Sequence, residues 1–183
     1  MLPVAVDVMG GDRAPGDILA GVHEAVADGV LPVLPATEVI AMDDDPVKGV
    51  RTKKDATLVR AAEAVRDGVA CAMVSAGNTG ATMASALLRM GRVRGVDRPA
   101  IATPIPVPGH LPNLMLDAGA NAEVQPEWLV QFATMGSIYA RHRFEIPRPT
   151  VGLLNIGEEP GKGDSLRKTA FDLLAAAPGI EFV

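Results

Sequence analysis

The stretch Val69–Ala81, with the sequence VACAMVSAGNTGA, decides the fold. Its apolar first half, Val69–Val74, has the length of a β-strand, and the small and apolar residues from Ala81 to Met90 follow a helical pattern. The glycine turn between them, Ser75–Gly80, would direct free backbone N–H groups at an anion. It matches neither the Walker loop nor the GxGxxG fingerprint. The stretch therefore predicts a strand, a turn and a helix, with either an anion site or a tight turn that binds nothing.

Composition limits the class of protein. The chain has 183 residues, which is enough for one domain with its own core. Hydrophobic residues make up 48% and aromatic residues only 3%, so aliphatic side chains must build that core. The net charge of −5 disfavours nucleic-acid binding. Because no leader is recognisable and no run reaches the roughly 18 apolar residues of a membrane span, we expect a soluble, cytoplasmic protein.

Cysteine and histidine offer little covalent or metal chemistry. The single cysteine, Cys71, lies inside the apolar run, where we expect an inert, buried thiol in a reducing compartment. The three histidines, His23, His110 and His142, lie far apart, and no spacing predicts a zinc site. No serine or cysteine stands beside a histidine base, so a covalent intermediate is poorly supported. We expect no metal and no cofactor.

Three other stretches repeat the order of strand, glycine and polar residue. They are Val4–Asp12, Asn113–Asn121 and Val151–Gly163, and the first begins with a short strand that we expect to be buried. Four such ends in alternating β and α segments predict a parallel sheet whose loops gather at one edge. That edge is the predicted site.

Helices are expected between these strands. The first, about Asp17–Asp28, would bury Ile18, Val22 and Ala25/Val26, and a second would begin at Pro46. Three more are expected over Ala56–Asp67 with Asp55 as the cap, over Pro126–Arg143, and over Leu166–Ala176 after Asp164 or Ser165. Two further strands are less regular: Ala36–Met42, and the start of Ala100–Val107, where Pro104, Pro106 and the following Pro108 oppose a full strand.

The polar residues at the strand ends favour transfer between two bound substrates, in which the protein orients an anion and stabilises charge. Lys162, between Gly161 and Gly163, could neutralise a phosphate or a developing oxyanion. Structural alternatives stay open at each position. Asp7 and Asp12 could hydrogen-bond the turn or cap a helix, and Asn78 and Thr79 could cap the helix that follows them.

Four of these segments resemble the bacterial phosphate acyltransferases of phospholipid synthesis, the PlsX-type enzymes. The matching segments are AVDVMGGDRAP at Ala5–Pro15, VSAGNTGA at Val74–Ala81, LDAGAN at Leu116–Asn121 and GLLNIGEEPGKG at Gly152–Gly163. The resemblance implies a Rossmann-like α/β sandwich similar to isocitrate and isopropylmalate dehydrogenases and phosphotransacetylases, usually as a homodimer. It also implies attack of inorganic phosphate on the thioester of an acyl carrier protein, which gives an acyl phosphate.

The predicted roles fall into three groups. Catalytic roles are predicted for Lys162, Asn78 and Asp7. Substrate or phosphate binding is predicted for Gly10, Gly11, Asp12, Ser75, Gly77, Thr79, Gly80, Asp117, Asn121, Asn155 and Glu158. Docking of the acidic carrier is predicted, from charge alone, for Arg89, Arg92, Arg94 and Arg98.

The chain departs from the family pattern in two places. Family members carry more chain at the position of Val30–Leu31, and they continue past Val183. We therefore expect a single α/β domain over residues 1–183 that lacks segments at both places. The family's peripheral membrane contact is expected in the absent part.

Two alternative functions differ in class. A phosphotransacetylase-like enzyme would use a coenzyme A thioester, and a non-catalytic module would bind phosphate or a nucleotide without turnover. A dinucleotide enzyme is disfavoured because no GxGxxG opens a helix.

Overall fold

The structure is a computed structural model that describes residues 2–26, 32–157, 159 and 161–183. The chain forms two compact units, Met1–Val93 and Arg94–Val183. Both Glu158 and the junction expected at Val30–Leu31 lie outside the described residues. The expectation of one domain over the whole chain stays a prediction.

The first unit places helices beside a two-stranded parallel sheet. Its elements are β1 (Val4–Asp7), α1 (Gly16–Ala25), α2 (Pro46–Thr52), α3 (Thr57–Arg66), β2 (Ala72–Ser75) and α4 (Thr79–Ser85), which runs on into a π-helical turn at Ala86–Met90. Strands β1 and β2 pair in a register that sets Asp7 opposite Ser75. Helix α3 packs against both strands. The register brings two of the predicted glycine loops to the same end of the sheet.

The core of the first unit is aliphatic, as the scarcity of aromatic residues predicts. Val50 from α2 and Val59 from α3 are fully buried, and Ala81 and Ala84 bury the inner side of α4. Met73 of β2 packs against this cluster. The small alanine side chains let the backbone of α4 approach its neighbours closely. This packing holds α4 in place directly after the glycine turn.

The second unit combines two small sheets with two longer helices. Its elements are β3 (Thr103–Ile105), β4 (Asn113–Met115), α5 (Pro126–Arg143), β5 (Thr150–Val151), α6 (Ser165–Ala176) and β6 (Glu181–Phe182). Helices α5 and α6 pack together, and Phe132 of α5 is buried with 1% of its surface exposed. Strands β5 and β6 are parallel, whereas β3 and β4 are antiparallel.

The α/β class and most helix positions are confirmed. Helix α5 has the predicted bounds, and α2 begins at Pro46 with Asp45 as its cap. Asp164 caps α6 by accepting a hydrogen bond from the Arg167 N–H at 2.9 Å. Gly68, with φ at 71°, follows the end of α3. Proline, aspartate and glycine thus mark these helix ends, where local chemistry dominates.

The prediction of one parallel sheet is wrong for the described residues, which form three two-stranded sheets. The strand that leads to Asp117 pairs with β3 in a hairpin, because a short connection joins antiparallel strands whereas parallel strands need a long crossover. Pro104 lies within β3, so the strand is not confined to the start of Ala100–Val107. A strand without a second neighbour tolerates proline, since its unpaired side needs no N–H donor.

Two local predictions in the first unit are also wrong. Ala36–Met42 forms only a single bridge, between Glu38 and Ala56, rather than a strand. Asp55 does not cap α3. Its carboxylate instead accepts hydrogen bonds from the backbone N–H and the hydroxyl of Thr37, at 2.9 and 2.7 Å. The same side chain therefore ties the 36–42 segment to the start of α3, and this contact replaces a strand ladder.

Burial differs from expectation at β1, α1 and Cys71. Val4 is half exposed, and Cys71, just before β2, is exposed. Helix α1 has no buried residue among its ten. On its predicted inner face, Ile18 and Val22 are only partly covered. Among the described residues, no helix combines the length and apolar character needed to cross a bilayer.

Burial of Phe132 should dominate the packing energy of α5. Replacing Phe132 by Ala should lower the free energy of unfolding by about 3–5 kcal/mol, because a cavity replaces a fully packed ring. The matched control is Phe171→Ala on α6, where the ring is 46% exposed and meets Phe182 edge to face. Urea unfolding curves of both variants measure the difference. Equal losses would contradict this account of the core.

Candidate functional site

A buried carboxylate joins the ends of β1 and β2. The Ser75 hydroxyl donates a hydrogen bond of 2.8 Å to Asp7 Oδ2, and the Gly77 N–H donates to Ser75 Oγ at 3.1 Å. The other carboxylate oxygen of Asp7 accepts from the Met9 N–H at 3.3 Å. Asp7 is 3% exposed, so these bonds replace the water that the charge has lost. The three predicted site residues Asp7, Ser75 and Gly77 therefore form one network.

Glycines allow the two loops to meet backbone to backbone. A Cβ on Gly10 would lie 2.6 Å from Asp7 Oδ2, 2.6 Å from Ser75 Oγ and 2.9 Å from the Gly77 nitrogen. Gly77 in turn would place a Cβ 3.0 Å from the Gly10 Cα. Gly11 adopts a φ of 110°, which other residues rarely reach. Close approach thus explains these glycines without a ligand.

Both polar atoms of the Asn78 side chain form hydrogen bonds within the protein. Its Oδ1 accepts from the Ala81 N–H at 3.0 Å, which caps α4. Its Nδ2 points at three carbonyl oxygens of the preceding acidic turn, those of Ala41, Met42 and Asp44, at 3.4, 3.1 and 3.2 Å. Asn78 therefore caps the helix that follows it, which is the alternative to a catalytic role that the sequence left open. A direct catalytic role stays a prediction.

The remaining predicted residues near this turn differ in exposure. Thr79 and Asp12 are exposed, and Gly80 faces Pro46, whose Cγ would lie 2.8 Å from an added Cβ. Asp12 does not cap α1, whose N-cap position is Pro15. The N–H groups of Thr79 and Gly80 belong to the first turn of α4 and so have no partner within the helix. These two N–H groups are donors that the turn offers to a ligand.

Asp117 organises a loop in the second unit. Its Oδ1 accepts from the N–H groups of Ile101 and Ala120 at 2.8 and 3.0 Å. Its Oδ2 accepts from the backbone and side-chain amides of Asn121 at 2.8 and 3.0 Å. Burial alone would raise the Asp117 pKa, but these four hydrogen bonds outweigh it and lower the pKa below its usual value. Four donors occupy the four acceptor positions of a carboxylate, so Asp117 and Asn121 hold each other.

The loop after β5 holds Lys162 on a fixed backbone. Asn155 Nδ2 donates to the Lys162 carbonyl at 2.9 Å, and Asn155 Oδ1 accepts from the Ile156 N–H. Gly163 has a φ of 89°, and a Cβ there would lie 2.5 Å from Asn155 Oδ1. The Lys162 side chain is half exposed, and its ammonium lies 4.0 Å from Glu159, an exposed ion pair worth little. Its charge is thus available to an anion.

The four arginines proposed for docking are not alike. Arg89 is mostly covered in the first unit, where it donates to the Val50 carbonyl at 3.1 Å and lies 3.8 Å from Glu63. In the second unit, the guanidinium of Arg98 lies 4.7 Å from the Trp128 ring centroid. Arg92 and Arg94 are exposed. Arg89 is held by contacts within its own unit, and little of its charge is exposed. Its role in docking stays a prediction.

Sequence reasoning missed the partners that these loops use. In the acidic turn at Asp43–Asp45, Asp44 pairs with Lys53, Asp45 caps α2, and the carbonyl of Asp44 accepts a hydrogen bond from Asn78. Arg167 of α6 donates to the Leu154 carbonyl at 3.3 Å and was not anticipated. Asp45 before Pro46 carried a cap signal, whereas no local pattern marked Arg167. Among the described residues, no cluster of three metal-ligating side chains occurs.

The fold and these loops define an α/β chain with glycine turns and polar side chains at its strand ends. A family model described as "Fatty acid synthesis protein" matches residues 27–183, and the chain belongs to this family. The relatives from Listeria welshimeri and Desulfitobacterium hafniense, both named "Phosphate acyltransferase", are 43% and 44% identical.

The alignments cover nearly all of this chain but only part of each relative. The match to the Listeria protein covers all of this chain and 60% of the relative, and that to the Desulfitobacterium protein covers 97% and 60%. The chain thus spans about 60% of the length of these curated relatives. The Listeria alignment runs over 204 positions for 183 residues, a surplus of 21.

The contact between the two glycine loops predicts a sharp steric effect. Gly10→Ala should lower the free energy of unfolding by about 1–3 kcal/mol, because the new methyl group would overlap Asp7, Ser75 and Gly77. The control is Gly21→Ala within α1, where nothing lies within 4 Å of the added atom and where a helix gains roughly 0.5–1 kcal/mol. Thermal unfolding compares the pair. Similar stabilities would contradict the close approach.

The lowered pKa of Asp117 predicts a pH dependence. The folded state favours the carboxylate, so its contribution is present above the unfolded pKa of about 3.9 and is lost as the pH falls through the folded value. Asp117→Asn should destabilise the protein by about 1–3 kcal/mol at pH 7 and by less near pH 3.

Urea unfolding between pH 3 and pH 7 measures this change in slope. Some slope should remain, because hydrogen bonds also lower the pKa of Asp44, Asp55 and Asp164. Asp12→Asn, at an exposed position, is the matched control. An effect of Asp117→Asn that is the same at every pH would refute the assignment.

Proposed function

We propose that this protein is an acyl-acyl carrier protein:phosphate acyltransferase of phospholipid synthesis. Inorganic phosphate attacks the thioester of an acyl carrier protein, and the products are an acyl phosphate and the free carrier. One observation carries the proposal, namely 43% identity across the whole chain to relatives named "Phosphate acyltransferase". The glycine turns and the available lysine charge support the same chemistry.

The proposed reaction depends on positioning of the reactants and on charge stabilisation more than on covalent catalysis. A phosphate oxygen forms a bond to the thioester carbonyl carbon, and the carbonyl oxygen gains negative charge. The C–S bond then breaks, and the carrier thiolate leaves and takes up a proton. Holding the nucleophile in line and stabilising the oxyanion are the contributions that a protein makes to such a step.

In the first unit, the Ser75–Gly80 turn is the element that we propose binds phosphate. Its support lies in the unpaired N–H groups of Thr79 and Gly80 at the start of α4. Asp7, Ser75 and Gly10 hold this turn against the first loop, and Asn78 caps the helix. We assign Asp7 and Asn78 a positioning role, since each is buried and bonded to the protein itself.

Lys162 is the proposed source of positive charge for the phosphate or for the oxyanion. Its support lies in a half-exposed side chain on a loop that Asn155 and Gly163 fix. Asp117, Asn121 and Asn155 then shape their loops rather than bind substrate directly. A role of Glu158 in substrate binding belongs to the same proposal.

The proposal extends to partners and to the finer fold class. An acidic carrier would meet the exposed Arg92, Arg94 and Arg98 more readily than Arg89. A Rossmann-like architecture similar to isocitrate and isopropylmalate dehydrogenases and phosphotransacetylases, a homodimer, and a cytoplasmic location with peripheral membrane contact all follow from the family resemblance. No cofactor is part of the proposed reaction.

The test is a direct assay of the 183-residue chain, with the longer Listeria welshimeri relative as positive control. Each is mixed with palmitoyl-acyl carrier protein and phosphate, and acyl phosphate is followed by mass. Product that requires both phosphate and carrier is expected. Product from palmitoyl-coenzyme A alone would favour the phosphotransacetylase alternative. Phosphate binding without product from either donor would favour the binding module.

Lys162→Ala should lower turnover by more than tenfold, the usual effect of removing one charge-stabilising donor. The matched control is Lys168→Ala, an exposed lysine on α6 that the proposal leaves unused. Lys162→Arg, which keeps the charge on a different geometry, should retain part of the activity. Turnover of all three variants at the wild-type rate would remove Lys162 from the site.

A further inference from the structure

The loop after β5 exposes two large aliphatic side chains. Leu154 and Ile156 are 78% and 83% exposed, and only one residue separates them in the sequence. Single exposed aliphatic side chains are common on protein surfaces. This pair is therefore informative only together with the groups that surround it.

Hydrogen bonds hold the backbone that carries the two side chains. The Leu154 carbonyl accepts from Arg167 Nε at 3.3 Å, and the Ile156 N–H donates to Asn155 Oδ1 at 2.9 Å. Asn155 Nδ2 reaches across the loop to the Lys162 carbonyl at 2.9 Å. The two aliphatic side chains thus stand on a fixed part of the loop.

The Lys162 side chain lies against the residue that follows Ile156. A Cβ on Gly157 would lie 3.5 and 3.8 Å from Cγ and Cδ of Lys162. The aliphatic stem of the lysine therefore runs along the same stretch of backbone, and its side chain is half exposed. One short loop presents a positive charge and an aliphatic surface side by side.

An acyl phosphate combines the two matching characters, because its anionic head and its apolar chain are joined through one carbonyl carbon. We propose that Leu154 and Ile156 form the contact surface for the acyl chain, with Lys162 at the head. The identity of this ligand rests on the proposed function, whereas the exposed aliphatic pair is a feature of the structure itself. The loop then favours long acyl chains over short ones, because each covered methylene group leaves water.

Binding of alkyl phosphates tests this surface without requiring turnover. Ethyl phosphate and octyl phosphate carry the same anionic head on chains of different length, and isothermal titration calorimetry measures their dissociation constants for the 183-residue chain. Octyl phosphate should bind more tightly than ethyl phosphate by about tenfold or more, because the loop covers its additional methylene groups. Lys162→Ala should weaken both ligands by a similar factor, since it removes the charge that faces their common head.

The deciding variant is Leu154→Ser with Ile156→Ser. It should bring the affinity for octyl phosphate to within about twofold of that for ethyl phosphate. Its thermal unfolding should change little, because substitutions at exposed positions have small effects on stability. The matched control is Ile105→Ser with Leu111→Ser, which replaces two exposed aliphatic side chains at the hairpin of β3 and β4 and should keep the preference for octyl phosphate.

Several results would overturn the proposal. They are equal affinity of the wild-type chain for the two alkyl phosphates, no binding of octyl phosphate, and a preference that survives the changes at Leu154 and Ile156. A wild-type dimer that dissociates in this double variant, and that octyl phosphate does not disrupt, would assign the two side chains to contact with a second copy instead.

These outcomes are distinct from those of the assay for the proposed reaction. Chain-length discrimination without turnover of palmitoyl-acyl carrier protein would refute the reaction and retain the apolar surface. Turnover without any such discrimination would refute the apolar surface alone.

Discussion

The hydrogen bond between Ser75 and the buried Asp7 carboxylate is the constraint on which the first unit depends. It joins residues that stand opposite each other in the parallel register of β1 and β2. Because a buried carboxylate without partners is costly, the register cannot slip without exposing or orphaning Asp7. The same bond brings Gly10 and Gly77 into contact, and it thereby fixes the direction in which α4 leaves the sheet.

Polar residues at the strand ends mostly satisfy one another. Asn78 caps α4 with its oxygen and holds the 41–44 turn with its nitrogen, and Asp117 receives four donors from its own loop. A substrate that displaced these bonds would leave buried groups unpaired, at a cost of roughly 1–3 kcal/mol for each. Under the proposed function, substrate contacts would then fall to groups that are not already bonded within the protein.

Sequence reasoning succeeded where a structure is decided locally and failed where it is decided by distant contacts. Proline at Pro46 and Pro126, and aspartate at Asp164, predicted helix starts because capping involves only residues within one turn.

The failures have a common cause. Asp55 is of a residue type that often caps helices, but it bonds Thr37, which lies 18 residues earlier in the chain. An acid, Asp117, follows β4 much as Asp7 ends β1, yet β4 pairs antiparallel. The sequence predicted which residue types lie at the candidate site, but it did not predict their hydrogen-bond partners. An Asn or Asp side chain can bond a ligand or a neighbouring loop equally well.

If the Ser75–Gly80 turn binds phosphate as proposed, the charge near the β1–β2 loops argues that this binding is weak. Asp7 ends β1, and the exposed Asp12 lies on the loop that follows it and meets the Ser75–Gly80 turn. The acidic turn at Asp43–Asp45 contacts Asn78. The pair between Asp44 and Lys53 offsets only part of this charge. An anion at the turn would then rely on N–H dipoles against a negative surrounding field. In the proposed reaction, weak ground-state binding of the phosphate nucleophile would be favourable, because interactions that form only in the transition state raise turnover rather than affinity.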